Sequence, residues 1–343
     1  MNPTGRRQTF ATAIVACVVL GTAACSSGQS SDSASSGDAG KKDGKLTIAV
    51  LQKQGDQQYF VDEAQGAKDA ASEAGDVEIK VIDLGTDANK AVSEVENVIA
   101  QGVDGIVIVV PDAKVGPQVI DAAKAANIPL VAADDAIESG DGKAAPFVGF
   151  DGKSMGESVG TKAGELYKAA GWSAADTRII ASWQQDLQTC NDRVGGALDA
   201  FTAAVGGDVP EVVKIGTDNS ATEALDKAGA VLTDNQDVKN WVVWGCNDEN
   251  ETGVVTALQN SGVAPADIIG VGLGAYLTCK DWAAGQDTGN KAALFISGAE
   301  VGKAAITSMV GLLRDGTELP PKSIANTVIV NADNWEDEGV VCT

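Results

Sequence analysis

LTIAVL at residues 46–51 begins a series of apolar runs that continues with VEIKVID at 77–83, GIVIVV at 105–110 and IPLVAA at 128–133. Such near-continuous, β-branched runs are typical of strands that are buried on both faces of a parallel sheet. The segments between them have helical periodicity, which predicts helices at residues 57–74, 87–101 and 115–126. This part of the chain therefore alternates strand and helix, as an α/β fold requires.

The same alternation returns in the second half of the chain. Strands are predicted at residues 177–182, 240–244 and 268–272, and helices near 153–170, 191–204, 219–234 and 249–261. Two successive series predict two doubly wound α/β lobes, each built on a parallel sheet. Ligands of such folds bind beyond the carboxyl ends of the strands, so the residues that follow each apolar run are the candidates for a site.

The first 44 residues differ in composition from the alternating part. Arg6 and Arg7 precede an apolar run that is too short to span a membrane comfortably, and the run ends in LGTAAC at residues 20–25. This ending resembles the lipobox of bacterial lipoproteins, in which the cysteine becomes the lipidated first residue. We expect a signal peptide at 1–24, lipidation of Cys25 and a flexible, Ser/Gly-rich tether at 25–44. The alternative is an ordinary secretory signal with a chance cysteine.

The composition excludes several classes of function. Lys and Arg number 25 against 48 Asp and Glu, which gives a net charge of -23, and histidine is absent. So acidic a chain repels nucleic-acid phosphates, and we expect no nucleic-acid partner. Without histidine, a Ser-His-Asp hydrolase, a His-ligated zinc enzyme and a His-dependent phosphotransfer protein are excluded. We expect no catalytic residue, no cofactor and no metal.

Six cysteines reduce to four candidates for disulfides. Cys17 would leave with the signal peptide and Cys25 would carry the lipid, and the other four are widely spaced. Outside the cytoplasm these four allow three pairings into two disulfides, or some of them remain buried thiols. They are Cys190, Cys246, Cys279 and Cys342.

Polar and aromatic side chains follow the predicted strands of both halves. The set includes Lys53, Gln54, Gln57, Tyr59, Asp134, Asp135, Leu187, Thr189, Arg193, Cys246 and Asn247. Carboxylates, amides and cations together suit the hydroxyl groups of a neutral polyhydroxylated ligand, and aromatic faces cover its C–H patches. Each residue also has an ordinary structural explanation. Asp134 and Asp135 would cap a turn, Arg193 would form an ion pair on a helix surface, and Asp248 would cap the helix that follows it.

Several short motifs in one order carry a family resemblance. Lys53-Gln54 is followed by Tyr59-Phe60, and then come Pro111-Asp112, Asp134-Asp135 and Asn247-Asp248. From about Lys45 to Trp335 the chain resembles the periplasmic sugar-binding proteins of the ribose/galactose/arabinose type, and most of all the arabinose-binding members. The resemblance implies two lobes that close on a sugar and a hinge of three crossings.

The resemblance also implies positions for the crossings and the lobes. The crossings fall near Phe150-Asp151, Ile296-Ser297 and Asn326-Thr327. The N-lobe would then comprise residues 45–150 with 297–326, and the C-lobe residues 151–296 with 327–343. Lys53, Asp134 and Asp135 would be sugar ligands of the N-lobe, while those of the C-lobe would be Leu187, Thr189, Arg193, Cys246 and Asn247.

Some positions depart from the family pattern. Tyr59 would replace a stacking Trp, and Phe150 would replace a Met beside the sugar. Gln57 stands where the arabinose-binding members have Glu, and Gly274 and Leu277 stand where they have Asn and Asp. An unmatched buried hydroxyl costs roughly 1–3 kcal/mol, so we expect a different sugar from arabinose itself. Cys190 and Cys246 flank cleft positions, and a bridge between them would stiffen the C-lobe.

These sequence features suggest three candidate functions. The first is a monomeric, lipid-anchored solute-binding protein at the extracytoplasmic face of a bacterial cell membrane. It would deliver a monosaccharide to an ABC permease: an arabinose-like pentose, or a related hexose, deoxysugar or polyol. The alternative is an extracellular sugar sensor that reports occupancy to a membrane signalling protein. A carbohydrate-active enzyme would need two carboxylates around one bond, and adjacent Asp134 and Asp135 on an extended segment would point to opposite sides.

Overall fold

A computed structural model describes Lys42 and residues 44–342 of the chain. The predicted signal peptide at 1–24, the predicted lipidation site Cys25 and all but the end of the predicted tether lie outside the described residues. Among the residues that are described, no helix combines the length and the apolarity that a membrane crossing requires.

The first sheet is entirely parallel. Its strand order is β2-β1-β3-β4-β5-β11, so β2 lies on one side of β1 and the later strands lie on the other side. The elements of this part are β1 (Leu46–Gln52), α1 (Gln58–Ala74), β2 (Val77–Asp83), α2 (Ala88–Ala100), β3 (Gly105–Ile108), α3 (Gly116–Ala125), β4 (Leu130–Ala133), β5 (Phe147–Gly149), α9 (Gly298–Asp315) and β11 (Lys322–Ile324).

The second sheet repeats the architecture with one exception. Its order is β7-β6-β8-β9-β10-β12, and all neighbours are parallel except the antiparallel edge pair of β10 and β12. The elements are α4 (Gly152–Ala170), β6 (Thr177–Trp183), α5 (Gln188–Val205), β7 (Glu211–Gly216), α6 (Ala221–Asp234), β8 (Asn240–Gly245), α7 (Asp248–Asn260), β9 (Ile268–Gly274), α8 (Cys279–Ala283), β10 (Asn290–Phe295) and β12 (Val328–Val330). The predicted fold class, two doubly wound α/β lobes, is confirmed.

The chain passes three times between the two sheets. It leaves the first sheet after β5, returns before α9, which packs on α1, and leaves again between β11 and β12. The connections are short, because only two or three residues separate the flanking elements at each passage. The proposed lobe boundaries place one crossing in each of these connections.

Some elements were not among the predictions. The edge strand β7 is half-exposed and carries charges at the first and fourth positions of EVVKIG, so its apolar pattern is weak. β5, β11 and β12 have three residues each, too few for a periodicity to register. β10 begins with Asn290 and Lys291, so its apolar run is limited to the four residues AALF.

Glycines on α4 allow the backbone of α5 to pack closely against it. A Cβ atom at Gly156 would lie 1.9 Å from the carbonyl oxygen of Arg193, and one at Gly160 would lie 1.9 Å from that of Ala197. Such distances are shorter than any contact between real atoms, so only glycine permits this approach of the two backbones. The packing of α4 on α5 therefore fixes the backbone of Arg193.

Two disulfides brace the second half. Cys190, in the first turn of α5, is bonded to Cys246, which directly follows β8. Cys279 of α8 is bonded to Cys342 near the end of the chain. The expected bridge between Cys190 and Cys246 is confirmed, and among the three pairings the structure selects the one that contains it.

Candidate functional site

A cavity of about 70 Å³ lies at the carboxyl ends of the strands, with walls from both sheets. It is lined by Lys53, Gln54, Gln57, Tyr59, Phe60, Asp134, Asp135, Leu187, Thr189, Cys190, Arg193, Asn219, Cys246, Asn247, Leu273, Tyr276 and Ile296. Every predicted ligand residue except Phe150 and Gly274 is in this set. The strand-end rule for open α/β sheets therefore brings the predicted side chains together in space.

The two adjacent aspartates both reach the cavity. Asp134 directly follows β4 and has a φ of 55°, in the left-handed region, so the chain turns there instead of continuing as extended backbone. The expectation that Asp134 and Asp135 point to opposite sides is therefore wrong. Their side chains also cap no turn: Asp134 Oδ1 accepts from the Tyr59 hydroxyl at 2.8 Å, and Asp135 Oδ1 accepts from Thr189 Oγ1 at 2.7 Å.

Asp135 is an ion-paired carboxylate of the site. It forms an ion pair with Lys53, and the hydrogen bond from Thr189 joins it to the other lobe. Burial raises the pKa of Asp135, but the charge of Lys53 and the hydrogen bonds from Lys53 and Thr189 outweigh burial and hold that pKa below its ordinary value. A direct contact between the lobes thus depends on an ionised group at the cavity wall.

Asp134 has a different environment. Burial raises its pKa to about 6, the Tyr59 hydrogen bond opposes that shift, and the charge of Asp135 reinforces it. Its Oδ2 atom is buried and has no partner within the described residues. Beneath it, Glu63 of α1 is 1% exposed. Burial, followed by the charge of Asp134, raises the pKa of Glu63 well above its ordinary value.

Arg193 reaches the cavity from α5. Its Nη1 atom donates to the carbonyl oxygen of Cys246 at 3.0 Å, and its Nε atom is buried with no partner among the residues described. The alternative of an ion pair on the helix surface is wrong, because the guanidinium is anchored beside the Cys190–Cys246 disulfide instead. One N–H of Arg193 is therefore free to donate to a ligand.

The helix cap after β8 is a different residue from the expected one. Asn247, and not Asp248, caps α7, since its Oδ1 accepts from the backbone N–H of Asn250 at 3.1 Å. The Asn247 Nδ2 atom donates to Asn219 O at 3.0 Å, which leaves one amide N–H for a ligand. Asp248 is fully buried and accepts from the backbone N–H groups of Leu277 and Thr278, so it fixes the segment after β9.

Two predicted positions lie off the cavity surface. Phe150 lines a neighbouring cavity of about 400 Å³, because Asp151 caps α4 and the chain turns into that helix at this point. Gly274 ends β9 with a φ of 139°, and the ring of Tyr276 lies over it. The expectation that Phe150 lies beside the ligand is therefore corrected, and Gly274 contributes only by leaving room for a ring.

Six lining residues were not among the predictions: Phe60, Cys190, Asn219, Leu273, Tyr276 and Ile296. Asn219 follows β7 and Ile296 follows β10, so the strand-end rule finds both once these strands are recognised. Leu273 and Tyr276 lie at the end of β9, one or two residues from a position that was predicted. Cys190 is disulfide-bonded to the predicted residue Cys246, and Phe60 directly follows the predicted residue Tyr59.

The cavity suits a neutral ligand with many hydroxyl groups. Asp134 and Arg193 line it, and each has a buried polar atom that finds no partner among the described residues; a hydroxyl group can both donate and accept. Within the described part of the chain no group of three or more His, Cys, Asp or Glu side chains is placed to hold a metal ion. Aromatic rings of Tyr59, Phe60 and Tyr276 supply apolar faces to the same cavity.

Comparisons with known proteins agree on one family. A family model described as a periplasmic binding protein domain matches residues 48–318. An ABC transporter L-arabinose-binding periplasmic protein of Azospirillum brasilense is 29% identical over 311 residues, which cover 87% of this chain and 90% of that protein. The L-arabinose-binding periplasmic protein of Escherichia coli K12 is 28% identical over 302 residues, 85% of this chain and 90% of that protein.

Solved structures show the same fold. An ABC transporter periplasmic solute binding protein from Actinobacillus succinogenes 130z, solved with bound D-allose, superposes with a TM-score of 0.75 at 22% identity. The superposition covers 85% of this chain and 100% of that one. A Caulobacter myo-inositol binding protein gives a TM-score of 0.74 at 21% identity, with 87% and 97% of the two chains covered.

Proposed function

The chain belongs to the periplasmic binding protein family, and from that premise we propose that it captures one monosaccharide between its two lobes and delivers it to an ABC permease. One observation carries the proposal. Asp134 and Arg193 come from different lobes and line one cavity, and the Asp134 Oδ2 and Arg193 Nε atoms are buried with no partner among the described residues. Sugar hydroxyls would satisfy both atoms, since burying such groups unpaired costs about 1–3 kcal/mol each.

The mechanism is hinge closure. The N-lobe side supplies Lys53, Asp134 and Asp135, and the C-lobe side supplies Thr189, Arg193 and Asn247. A sugar that meets one set in the open form completes its hydrogen bonds only when the other lobe arrives, so ligand binding favours the closed form. The hydrogen bond from Thr189 to Asp135 adds a direct contact between the lobes that also exists only on closure.

The size of the cavity supports a single sugar ring. At roughly 10–15 Å³ of such volume for each water molecule, about 70 Å³ accommodates about five to seven waters. A monosaccharide displaces water on this scale, whereas an oligosaccharide does not fit between closed lobes. We therefore propose an arabinose-like pentose, or a related hexose, deoxysugar or polyol, as the ligand.

The relatives support transport over sensing. Two relatives that cover most of the chain are named as L-arabinose-binding periplasmic proteins, and the name of one of them places it in an ABC transporter. Gln57 brings an amide to the cavity where the resemblance implies a Glu in arabinose-binding members, and Gly274 brings no side chain where it implies an Asn. The proposed ligand is therefore related to arabinose but distinct from it.

We extend the proposal to the location of the protein. Lipidation of Cys25, followed by the Ser/Gly-rich segment to residue 44, would tether a monomer to the extracytoplasmic face of the membrane, beside the permease. Labelled palmitate fed to expressing bacteria should enter the wild-type protein and be absent from Cys25→Ala. Equal labelling of the two proteins contradicts the anchor, and leaves the sugar-binding proposal intact.

A thermal-shift screen tests the function itself. Pentoses, hexoses, deoxysugars and polyols are added one at a time to the purified protein. A ligand at a hundred times its dissociation constant adds about 2.7 kcal/mol to the free energy of unfolding, which raises the melting temperature of about 300 folded residues by about 4 °C. A rise with one or two sugars supports the proposal, and a flat response to all of them contradicts it.

A further inference from the structure

Asn250 is buried directly behind the cavity wall. It lies in the first turn of α7, is 0% exposed and is not among the residues that line the cavity. Its Nδ2 atom donates to Asn219 Oδ1 at 2.9 Å and to Asn247 Oδ1 at 2.5 Å, and both of these asparagines line the cavity. Its Oδ1 atom accepts from Ser182 Oγ at 2.8 Å and from Thr217 Oγ1 at 2.6 Å. One buried side chain therefore connects the ends of β6, β7 and β8.

The four contacts use the whole hydrogen-bonding capacity of an asparagine. A primary amide has two N–H donors and one oxygen with two lone pairs, and Asn250 engages all of them. A leucine of similar size would engage none, and an aspartate could not donate to both of the oxygens that it would face. Gly245 at the end of β8 leaves the space, since a Cβ atom there would lie 2.4 Å from Asn250 Cβ. The partners and the backbone at this position therefore fit an asparagine specifically.

The amide oxygens of the two cavity asparagines are fully occupied. Besides the bond from Asn250 Nδ2, Asn219 Oδ1 accepts from the backbone N–H of Gln184 at 2.9 Å. Asn247 Oδ1 likewise accepts from the backbone N–H of Asn250 at 3.1 Å. Each oxygen has two lone pairs and two donors, so neither has capacity left for a ligand. The hydrogen-bonding capacity that remains on these amides is N–H, so Asn219 and Asn247 can donate to a ligand but cannot accept from one.

The cavity wall that comes from the first sheet has the complementary chemistry. Asp134 and Asp135, after β4, bring carboxylate oxygens, which only accept when they are ionised. Arg193, which has no acceptor atom in its side chain, joins the two asparagines on the donating side. A sugar hydroxyl both donates and accepts, so a hydroxyl between the walls can donate to a carboxylate and accept from an amide. Two amides that only donate therefore give the hydrogen bonds of the ligand one direction across the cavity.

We propose that Asn250 is a positioning residue for sugar binding, which holds the amides of Asn219 and Asn247 as donors to the ligand without touching the ligand itself. The inference rests on the proposed function, since it assigns a further residue to the same cavity. Its basis is the pair of bonds from Asn250 Nδ2, because they take up the second lone pair of each amide oxygen. Without these bonds each oxygen is left with an unmet lone pair, and each amide loses one of the contacts that fix its orientation. Each donor bond to the ligand is worth about three- to tenfold in affinity, so the loss of both should cost about tenfold or more.

Calorimetric titrations of the protein with L-arabinose, D-xylose, D-galactose, L-fucose and xylitol test the assignment. The compound of this set that the wild-type protein binds best is then titrated into the Asn250→Asp protein, which should bind it about tenfold or more weakly. Asn235→Asp is the matched control, because Asn235 at the end of α6 donates to Val231 O at 2.8 Å and does not line the cavity. The control should bind within threefold of wild type. A folded Asn250→Asp protein that also binds within threefold overturns the inference and leaves the proposed function intact, whereas a wild-type protein that binds none of the five compounds overturns both.

Thr217 gives a second test that leaves Asn250 in place. Thr217→Val keeps the shape of the side chain and removes the hydroxyl from which Asn250 Oδ1 accepts, whereas Thr217→Ser keeps the hydroxyl. Because Thr217 does not line the cavity, a change in affinity must reach the sugar through the hydrogen bonds behind the wall. Thr217→Val should weaken binding about three- to tenfold, and Thr217→Ser should stay within about twofold of wild type. Equal affinities of these two variants overturn the inference, and this comparison decides the case if Asn250→Asp does not fold.

Discussion

Arg193→Ala should reduce sugar affinity more than any loss of packing explains. Arg193 Nη1 is held by the carbonyl oxygen of Cys246 at 3.0 Å, and the buried Nε atom has no partner within the described residues. The free N–H is thus already oriented when a ligand arrives. A hydrogen bond to a charged group contributes about 1.5–3 kcal/mol, and the sugar hydroxyl left unpaired adds to its loss. A total of about 2–4 kcal/mol corresponds to roughly 30- to 700-fold in the dissociation constant.

The loss has a second component that depends on pH. The positive charge of Arg193 lowers the pKa of Asp134, which burial as the largest influence raises to about 6. Without the guanidinium that pKa should rise further, so part of the Asp134 population is protonated near neutral pH and accepts poorly from a hydroxyl. The deficit of Arg193→Ala should therefore be smaller at pH 8 than at pH 6.

Isothermal titration calorimetry with the best sugar of the thermal screen measures the effect. Arg193→Lys keeps the charge but not the planar fork of donors, and should fall between wild type and Arg193→Ala. Arg178→Ala is the matched control, since Arg178 pairs with Glu211 at 3.2 Å on the edge of the second sheet and does not line the cavity. A folded Arg193→Ala protein that binds within threefold of wild type would refute the reasoning.

Three further predictions concern titration and stability. Sugar affinity should fall as the pH falls through about 6, because Asp134 then takes up a proton. The Asp134→Asn protein should bind sugar weakly, and its affinity measured by calorimetry should be nearly independent of pH between 5 and 8. An unchanged affinity of the wild-type protein from pH 8 to pH 5 contradicts this prediction. Replacing both Cys190 and Cys246 with Ser opens a loop of 56 residues, which should lower the free energy of unfolding measured with urea by about 4 kcal/mol. The same change should weaken sugar binding, because the Cys246 carbonyl oxygen holds Arg193. Full stability of the wild-type protein under reducing conditions contradicts the stability prediction. Burial raises the pKa of Glu249 from 4.5 to about 7, so its contribution to stability is complete below pH 4.5 and is lost as the pH rises to about 7. The decline is about 3 kcal/mol, and Glu249→Gln should remove it from the pH profile of urea unfolding.

The parallel strands made the site predictable from the sequence. Lys53, Asp134, Arg193 and Asn247 lie far apart in the chain, yet all follow strands or begin the helices after them. Because the carboxyl ends of parallel strands meet at one edge, recognising the strands was sufficient to bring these side chains together. Asn219 was not predicted, because it follows β7, and this half-exposed strand has no clear apolar pattern by which the sequence would reveal it.

Other features depend on contacts that no local pattern reveals. Glu63 lies on α1 among alternating polar residues and gives no sign in the sequence that it is buried against Asp134. The left-handed turn at Asp134 places two adjacent carboxylates on one cavity, although extended backbone would separate them. Tyr276 covers Gly274 only because the turn at Ala275 folds its ring back over the strand. Each depends on backbone geometry and tertiary packing.

The most direct test of the central claim is a crystal structure of the protein with the sugar that the thermal screen selects. The sugar should lie between the lobes, with one hydroxyl donating to Asp134 Oδ2, one accepting from Arg193 Nε and a C–H face against the ring of Tyr276. A sugar bound in the neighbouring cavity beside Phe150 and Lys322, with Asp134 and Arg193 untouched, would contradict the account.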